Sequence, residues 1–123
     1  MIAAAGAIGA LSRYGVSTYL SSVFAESGFP FGTLAVNIVG CLIIGIVMHI
    51  GLNSDAIPAN WRIAVCVGFL GALTTFSSFS YETVILLERT QYLLAAANII
   101  ANVAVGIPAT FAGLTIGKII IGG

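Results

Sequence analysis

The chain has 123 residues, of which 59% are hydrophobic and only 7% are charged, with four basic side chains balanced by four acidic ones. A soluble globular domain normally carries about a quarter charged residues, so this composition excludes an ordinary soluble domain and makes the lipid bilayer the solvent. The zero net charge, without a basic run or a glycine-rich phosphate loop, also argues against a nucleic-acid or nucleotide partner.

Four apolar stretches follow one another along the chain, at approximately residues 2–24, 31–51, 61–87 and 92–121. Each reaches or exceeds the roughly 20 residues that a helix needs to cross the hydrocarbon core. The connectors are short, so we predict an all-α membrane protein with a single domain of four transmembrane helices over residues 1–123. We interpret the first stretch as a retained span and not as a signal peptide, because Arg13 interrupts its apolar run.

Two of these stretches carry amides and hydroxyls at helical spacing. Thr33 and Asn37 are four residues apart on the second, and Asn98 and Asn102 are four apart on the fourth. Each asparagine offers two N–H donors and one acceptor. Amide and hydroxyl donors together favour a small anion as the ligand.

The third stretch is too long for a straight span. As continuous helix, residues 61–87 would extend about 40 Å, against a hydrocarbon core of about 30 Å. Gly68, Gly71 and the Thr74–Thr75 pair cluster near its middle. Broken helices occur at this depth where they line a cavity or bind an ion, so we predict a third helix that is broken at residues 71–74.

Five hydroxyl side chains lie among the ten residues from Gly71 to Ser80. One interpretation is that they bond back to carbonyls of their own helix while the phenylalanines face lipid. The other is a polar pathway, which is favoured because the run leads to Glu82, an ionisable side chain that is expensive in hydrocarbon. Helical spacing places two stripes side by side, one of Phe76, Phe79 and Thr83 and one of Thr75, Ser78 and Glu82.

The basic residues near the ends of the spans hardly commit the chain to one orientation. Arg62 and Lys118 fall on one side of the membrane and Arg89 on the other. A margin of one charge predicts insertion in both orientations and hence an antiparallel dimer. Gly113 and Gly117, in a GxxxG spacing, suit close helix packing.

Three segments resemble the Fluc family of fluoride channels, also called CrcB proteins. They are GALTTFSSFSYE at residues 71–82, GALSRY at residues 9–14 and GTLAVNIVG at residues 32–40. The resemblance extends along essentially the whole chain. It implies a dual-topology, antiparallel homodimer in the cell inner (plasma) membrane, with two pores that export fluoride passively.

The resemblance also implies roles for individual residues. Asn37 donates to the ion, and the third-span break supplies the carbonyls of Gly71 and Thr74 to a central, structural sodium ion. In the fourth span, Asn98 and Asn102 stand where relatives commonly have a tyrosine and a serine, so the polar character of the pore lining is kept. The remaining implied pore residues are the ring pair Phe76 and Phe79 and the polar track Thr33, Ser77, Ser78 and Glu82.

Two other functions are compatible with a small four-span chain. The first is a proton-coupled exporter resembling the small multidrug resistance family, which uses a first-span glutamate; here no acidic residue precedes Glu26. The second is a noncatalytic subunit of a membrane assembly, for which only the glycine spacings would matter. An enzyme is not expected, because no nucleophile has a plausible histidine or acid partner within one span and no metal-ligand set exists.

Overall fold

The computed structural model describes residues 1–122, which form helices and connecting turns without a β-strand. This confirms the predicted all-helical fold. Along the chain, α1 (Ile2–Val23), a short 3₁₀ turn (Ala25–Ser27) and α2 (Phe31–Asn53) come first. They are followed by α3 (residues 59–73), α4 (Phe76–Glu88) and α5 (Tyr92–Ile121).

Three helical segments are long and apolar enough to cross a membrane, namely Phe31–Asn53, Ala59–Glu88 and Tyr92–Ile121. The protein is therefore a multi-pass membrane protein. Helix α1 has 22 residues but is not among these segments. Its lower hydropathy follows from Arg13 and the serines and glycines around it.

Helices α2 and α5 pack backbone to backbone through glycines. A Cβ atom added at Gly113 would lie 3.0 Å from the Cα of Gly45 and would also collide with the carbonyl of Leu42. One turn further along, a Cβ at Gly117 would lie 3.0 Å from the Cβ of His49. The GxxxG spacing thus serves the packing of α5 against α2.

Helices α1 and α3 approach each other in the same way. A Cβ at Gly68 would lie 2.8 Å from the carbonyl oxygen of Ile2 and 3.0 Å from the Cβ of Ala5. This region of α3, Ala64–Leu70, is wound as a π-helix, a wider winding that often marks functional sites. The contact positions α1 beside the end of α3.

The backbone leaves helical geometry between α3 and α4. Gly71–Leu73 is still helical, whereas Thr74 (φ −86°, ψ 153°) and Thr75 (φ −152°, ψ 121°) are extended. Helix α4 then begins at Phe76, with the Thr75 hydroxyl accepting the Ser78 N–H at 3.1 Å as an N-cap. The two extended residues are Thr74, the last residue of the predicted range, and Thr75, which lies just beyond it.

Candidate functional site

A cleft of about 460 Å³ lies where the α3–α4 interruption faces α2 and α5. We call it the amide cleft, because asparagines from two helices project into it. It brings together four of the predicted pore residues with both predicted sodium ligands and one further threonine. These are Asn37, Phe76, Phe79 and Asn102, with Gly71, Thr74 and Thr75.

A second cleft, of about 530 Å³, lies between α1, α2 and α4. We call it the hydroxyl cleft. It collects the remaining hydroxyls of the predicted track and its carboxylate, together with three residues of α1 and α4 that were not predicted. Its lining is Thr33, Ser77, Ser78 and Glu82, with Arg13, Ser17 and Tyr81.

Thr75 connects the two clefts. It lines the amide cleft, and its hydroxyl lies 3.1 Å from the hydroxyl of Ser77, which lines the other. The N-cap bond to Ser78 holds that hydroxyl in place. A continuous series of polar groups therefore runs from one cleft to the other.

Asn37 is the centre of the amide cleft. Its Oδ1 accepts the Thr75 N–H at 2.9 Å, and its Nδ2 donates to the Thr75 carbonyl at 3.3 Å. The same Nδ2 donates to Oδ1 of Asn102 at 3.1 Å. Asn37 thus holds the interruption of α3–α4 against α2 and links it to α5.

The hydrogen-bond chain continues along α5. Asn102 Nδ2 donates to the Asn98 carbonyl at 2.8 Å and to Asn98 Oδ1 at 3.0 Å. Asn98 Nδ2 donates to the Thr83 hydroxyl at 3.0 Å, and that hydroxyl donates to the Phe79 carbonyl at 2.8 Å. Asn98 is fully buried and lines neither cleft. It is the one predicted pore residue that the structure places behind the others.

The two rings of the amide cleft are adjacent but differently covered. The centroids of Phe76 and Phe79 are 5.5 Å apart, with the ring planes inclined by 56°. Phe79 is partly buried, whereas Phe76 is 78% exposed on the single chain. An inclined pair of this kind can turn a positive ring edge toward an anion.

The hydroxyl cleft is lined by one basic and one acidic side chain, Arg13 and Glu82. Arg13 donates from Nε to the Ala72 carbonyl at 3.0 Å, close to the end of α3. Glu82 has a buried Oε1 with no hydrogen-bond partner among residues 1–122. Its position among hydroxyls agrees with the polar character expected of this stripe.

The predicted site residues did not include Arg13, Thr75 or Thr83, although the sequence placed both threonines on the two stripes of the third span. For Arg13 the signal was its charge within an apolar stretch, and for Thr75 its place beside the predicted break. Thr83 was recognised only as a member of the phenylalanine stripe, and its bond to Asn98 depends on how α4 meets α5.

Side chains that commonly bind metals do not cluster in the described part of the chain: residues 1–122 hold no group of three or more His, Cys, Asp or Glu side chains suited to a metal ion. A cation at the amide cleft would be bound by main-chain, amide or hydroxyl oxygens. Gly71 and Thr74 both line this cleft. The Thr75 N–H, which a continuous helix would direct at the Gly71 carbonyl, donates to Asn37 instead.

The family model described as CrcB-like protein, Camphor Resistance (CrcB), matches residues 1–114. The chain belongs to the CrcB family. The resemblance seen in its sequence segments is thereby confirmed.

Three curated CrcB relatives carry the name "Fluoride-specific ion channel FluC". The protein from Syntrophotalea carbinolica is 49% identical over 94% of this chain and 91% of its own length. The protein from Geobacter metallireducens is 46% identical over 92% and 90%, respectively. The protein from Citrifermentans bemidjiense is 44% identical over 95% and 94%. The residues matched by the family model, 1–114, include those that line both clefts.

Proposed function

We propose that this chain is a fluoride-selective ion channel that exports fluoride passively across the cell inner (plasma) membrane. The observation that carries the proposal is the 44–49% identity, across at least 90% of both chains, to proteins named as fluoride-specific ion channels. The two clefts supply the chemistry that such a channel needs. It is a channel and not an enzyme.

The mechanism that we propose uses many weak donors in place of one strong site. Hydroxyls of the hydroxyl cleft, the amide of Asn37 and the ring edges of Phe76 and Phe79 would each replace part of the hydration shell of fluoride. Donors without formal charge bind weakly enough for the ion to leave again, which conduction requires. Asn102 belongs to the same lining, and Asn98 supports it from behind.

We further propose an antiparallel, dual-topology homodimer with two pores, in which α1 supplies the fourth span. On a single chain Phe76, which lines the amide cleft, is 78% exposed. A second copy would cover this surface. The near balance of Arg62 and Lys118 against Arg89 permits both orientations.

A structural sodium ion between the two copies completes the proposal. The Gly71 carbonyl is deprived of its helical donor because the Thr75 N–H bonds to Asn37. An unsatisfied carbonyl costs several kcal/mol in hydrocarbon, and carbonyls of Gly71 and Thr74 from two antiparallel chains could converge on one point. Hard, uncharged oxygen ligands suit sodium.

The test is fluoride efflux from liposomes that contain the purified chain. With a potassium ionophore to provide countercharge, fluoride should leave rapidly and chloride far more slowly, as read by ion-selective electrodes. Liposomes without protein are the control. Equal rates for the two anions would contradict the proposal.

The proton-coupled multidrug exporter is not favoured. Helix α1 contains no acidic residue to serve as its exchange site, and the curated relatives named above are channels. Uptake of an organic cation driven by a pH gradient would be the result that supports it.

A further inference from the structure

Hydrogen bonds to main-chain groups determine which side-chain atom of Asn37 and of Asn102 is the oxygen and which is the nitrogen. The Thr75 N–H can only donate, so the Asn37 atom 2.9 Å from it is Oδ1. The Asn98 carbonyl can only accept, so the Asn102 atom 2.8 Å from it is Nδ2. It follows that Oδ1 of Asn102 faces Nδ2 of Asn37, 3.1 Å away. Only one arrangement satisfies all of these contacts.

In this arrangement both N–H donors of Asn37 are already used. Nδ2 carries two hydrogens, and its acceptors are the Thr75 carbonyl at 3.3 Å and Asn102 Oδ1 at 3.1 Å. An anion that accepts a hydrogen bond from Asn37 must therefore displace one of these two oxygens.

The two acceptors are not equally easy to displace. Thr75 is joined to Asn37 by two main-chain contacts, since it also donates its N–H to Oδ1. Asn102 is joined to Asn37 by a single bond between side chains, and it lines the amide cleft together with Phe76 and Phe79. The single side-chain bond favours Asn102 Oδ1 as the acceptor that an anion displaces.

We propose that Asn102 is a built-in competitor for the anion at Asn37, and that Asn98 is the positioning residue that aims it. Asn98 is suited to this because it is fully buried and receives both N–H bonds of Asn102 while bonding to Thr83. The inference rests on the proposed channel function and assigns these two residues different parts in it.

The competitor sets how tightly the anion is held and not which anion is chosen. Breaking the bond between Asn37 and Asn102 costs the same whichever anion replaces it, so the cost cancels from the ratio of two anion affinities. It weakens the site for each anion, and a weaker site releases its ion sooner.

The experiment is a fluoride concentration series of efflux from liposomes containing the parent or Asn102→Ala. The variant should saturate at a lower fluoride concentration, by up to about tenfold, the net gain of one neutral hydrogen bond over a bond to water. Its maximum rate should fall, and its fluoride-to-chloride ratio should stay the same. A purely structural loss would lower the maximum rate without moving the saturation point.

Thr110→Ala is the matched control on α5. Within residues 1–122 its hydroxyl bonds only to the Gly106 carbonyl of its own helix, at 3.4 Å, so its saturation curve should be that of the parent. Size-exclusion elution shows whether each variant is folded. If Asn102→Ala is not, Asn102→Ser takes its place, because the shorter hydroxyl also withdraws the acceptor from Asn37.

Asn98→Ala and the Asn98→Ala/Asn102→Ala double variant test the positioning role. Asn98→Ala should shift saturation in the same direction by less, and the double variant should saturate where Asn102→Ala does, because Asn98 acts through Asn102. Additive shifts in the double variant would refute the positioning role of Asn98.

An unchanged or higher saturation point for Asn102→Ala overturns the whole inference while fluoride efflux by the parent stands. A parent that moves no fluoride overturns the proposed function and this inference with it.

Discussion

Asn37 shows at the residue scale how one amide can hold a backbone interruption and face a cleft at the same time. Its oxygen bonds to the Thr75 N–H and its nitrogen to two acceptors. No other side-chain type of this size both donates twice and accepts. The charge and donor count of this one group should therefore matter more to conduction than its volume.

We expect Asn37→Asp to reduce fluoride efflux by at least roughly tenfold. The carboxylate has no N–H to donate, which forfeits two hydrogen bonds, and when ionised it repels the anion. The measurement is electrode-recorded efflux at equal reconstituted protein. Asn53→Asp, at the exposed end of the same helix, is the control and should conduct like the parent. Parent-like flux in Asn37→Asp would show that Asn37 does not line the path.

We also expect Phe76→Ile and Phe79→Ile each to lower efflux while leaving the elution profile of the folded protein unchanged. Isoleucine keeps the apolar bulk but has no positive ring edge to offer an anion. Val84→Ile, at an exposed apolar position of α4, is the control. Parent-like efflux in a Phe76→Ile/Phe79→Ile double variant would show that the two rings take no part in conduction.

Helices in this fold pack through glycines, so substitutions there act through helix spacing. Where α5 meets α2, a Cβ at Gly113 would collide with the Leu42 carbonyl, a main-chain atom that cannot rotate away. Between α3 and α4, the chain pairs its interrupted backbone with side chains from α1 and α2. The glycine contact and the interrupted backbone both depend on how neighbouring helices pack, and each can be tested by substitution.

Gly113→Ala should destabilise the fold by about 1–3 kcal/mol, the usual cost of forcing an extra carbon into a packed contact. The readout is the thermal midpoint for loss of the folded elution peak in detergent. Gly15→Ala is the matched control, because within residues 1–122 no heavy atom beyond the adjacent backbone of its own helix lies within 4 Å of the Cβ it would add. It should leave the midpoint unchanged or raise it, since alanine favours helix by about 1 kcal/mol. Equal behaviour of the two variants would contradict the packing argument.

Replacing sodium exhaustively with a large organic cation should lower dimer stability or efflux, if the interruption binds the ion we propose. Thr75→Cys should strengthen this dependence, because Thr75 caps α4 and adjoins the carbonyls concerned. Thr115→Cys is the control, since its hydroxyl bonds only within α5, to the Phe111 carbonyl. If removing sodium changes neither dimer stability nor efflux in the parent, Thr75→Cys and Thr115→Cys, the proposed ion is excluded.

On a single copy, many large apolar side chains and part of the amide-cleft lining are exposed. Phe76, which lines the amide cleft, is largely exposed on a single copy. Charge offers no strong preference for one orientation, with Arg62 and Lys118 against Arg89. The antiparallel homodimer that we propose would cover this surface and is compatible with this charge balance.

Mixed insertion predicts that a cysteine at position 53, in a background where Cys41 and Cys66 are replaced, is labelled from both sides of the membrane. Asn53 is exposed at the end of α2, so the label can reach it. The measurement is modification of intact and permeabilised cells by a membrane-impermeant thiol reagent. Labelling from one side alone would rule out the antiparallel dimer.

The sequence by itself determined that the protein is helical and resides in a membrane, because composition and the length of apolar runs decide the solvent. It also indicated the family, through the three segments that resemble CrcB proteins, and with it eight pore residues that line the two clefts. Only the tertiary structure decided that Asn98 lies behind the clefts and that Arg13 bonds to the Ala72 carbonyl. The physical reason is that periodicity says nothing about which helix a face meets. The bonds of Asn37 to Thr75 and Asn102 span 38 and 65 residues, and such partners are chosen by packing.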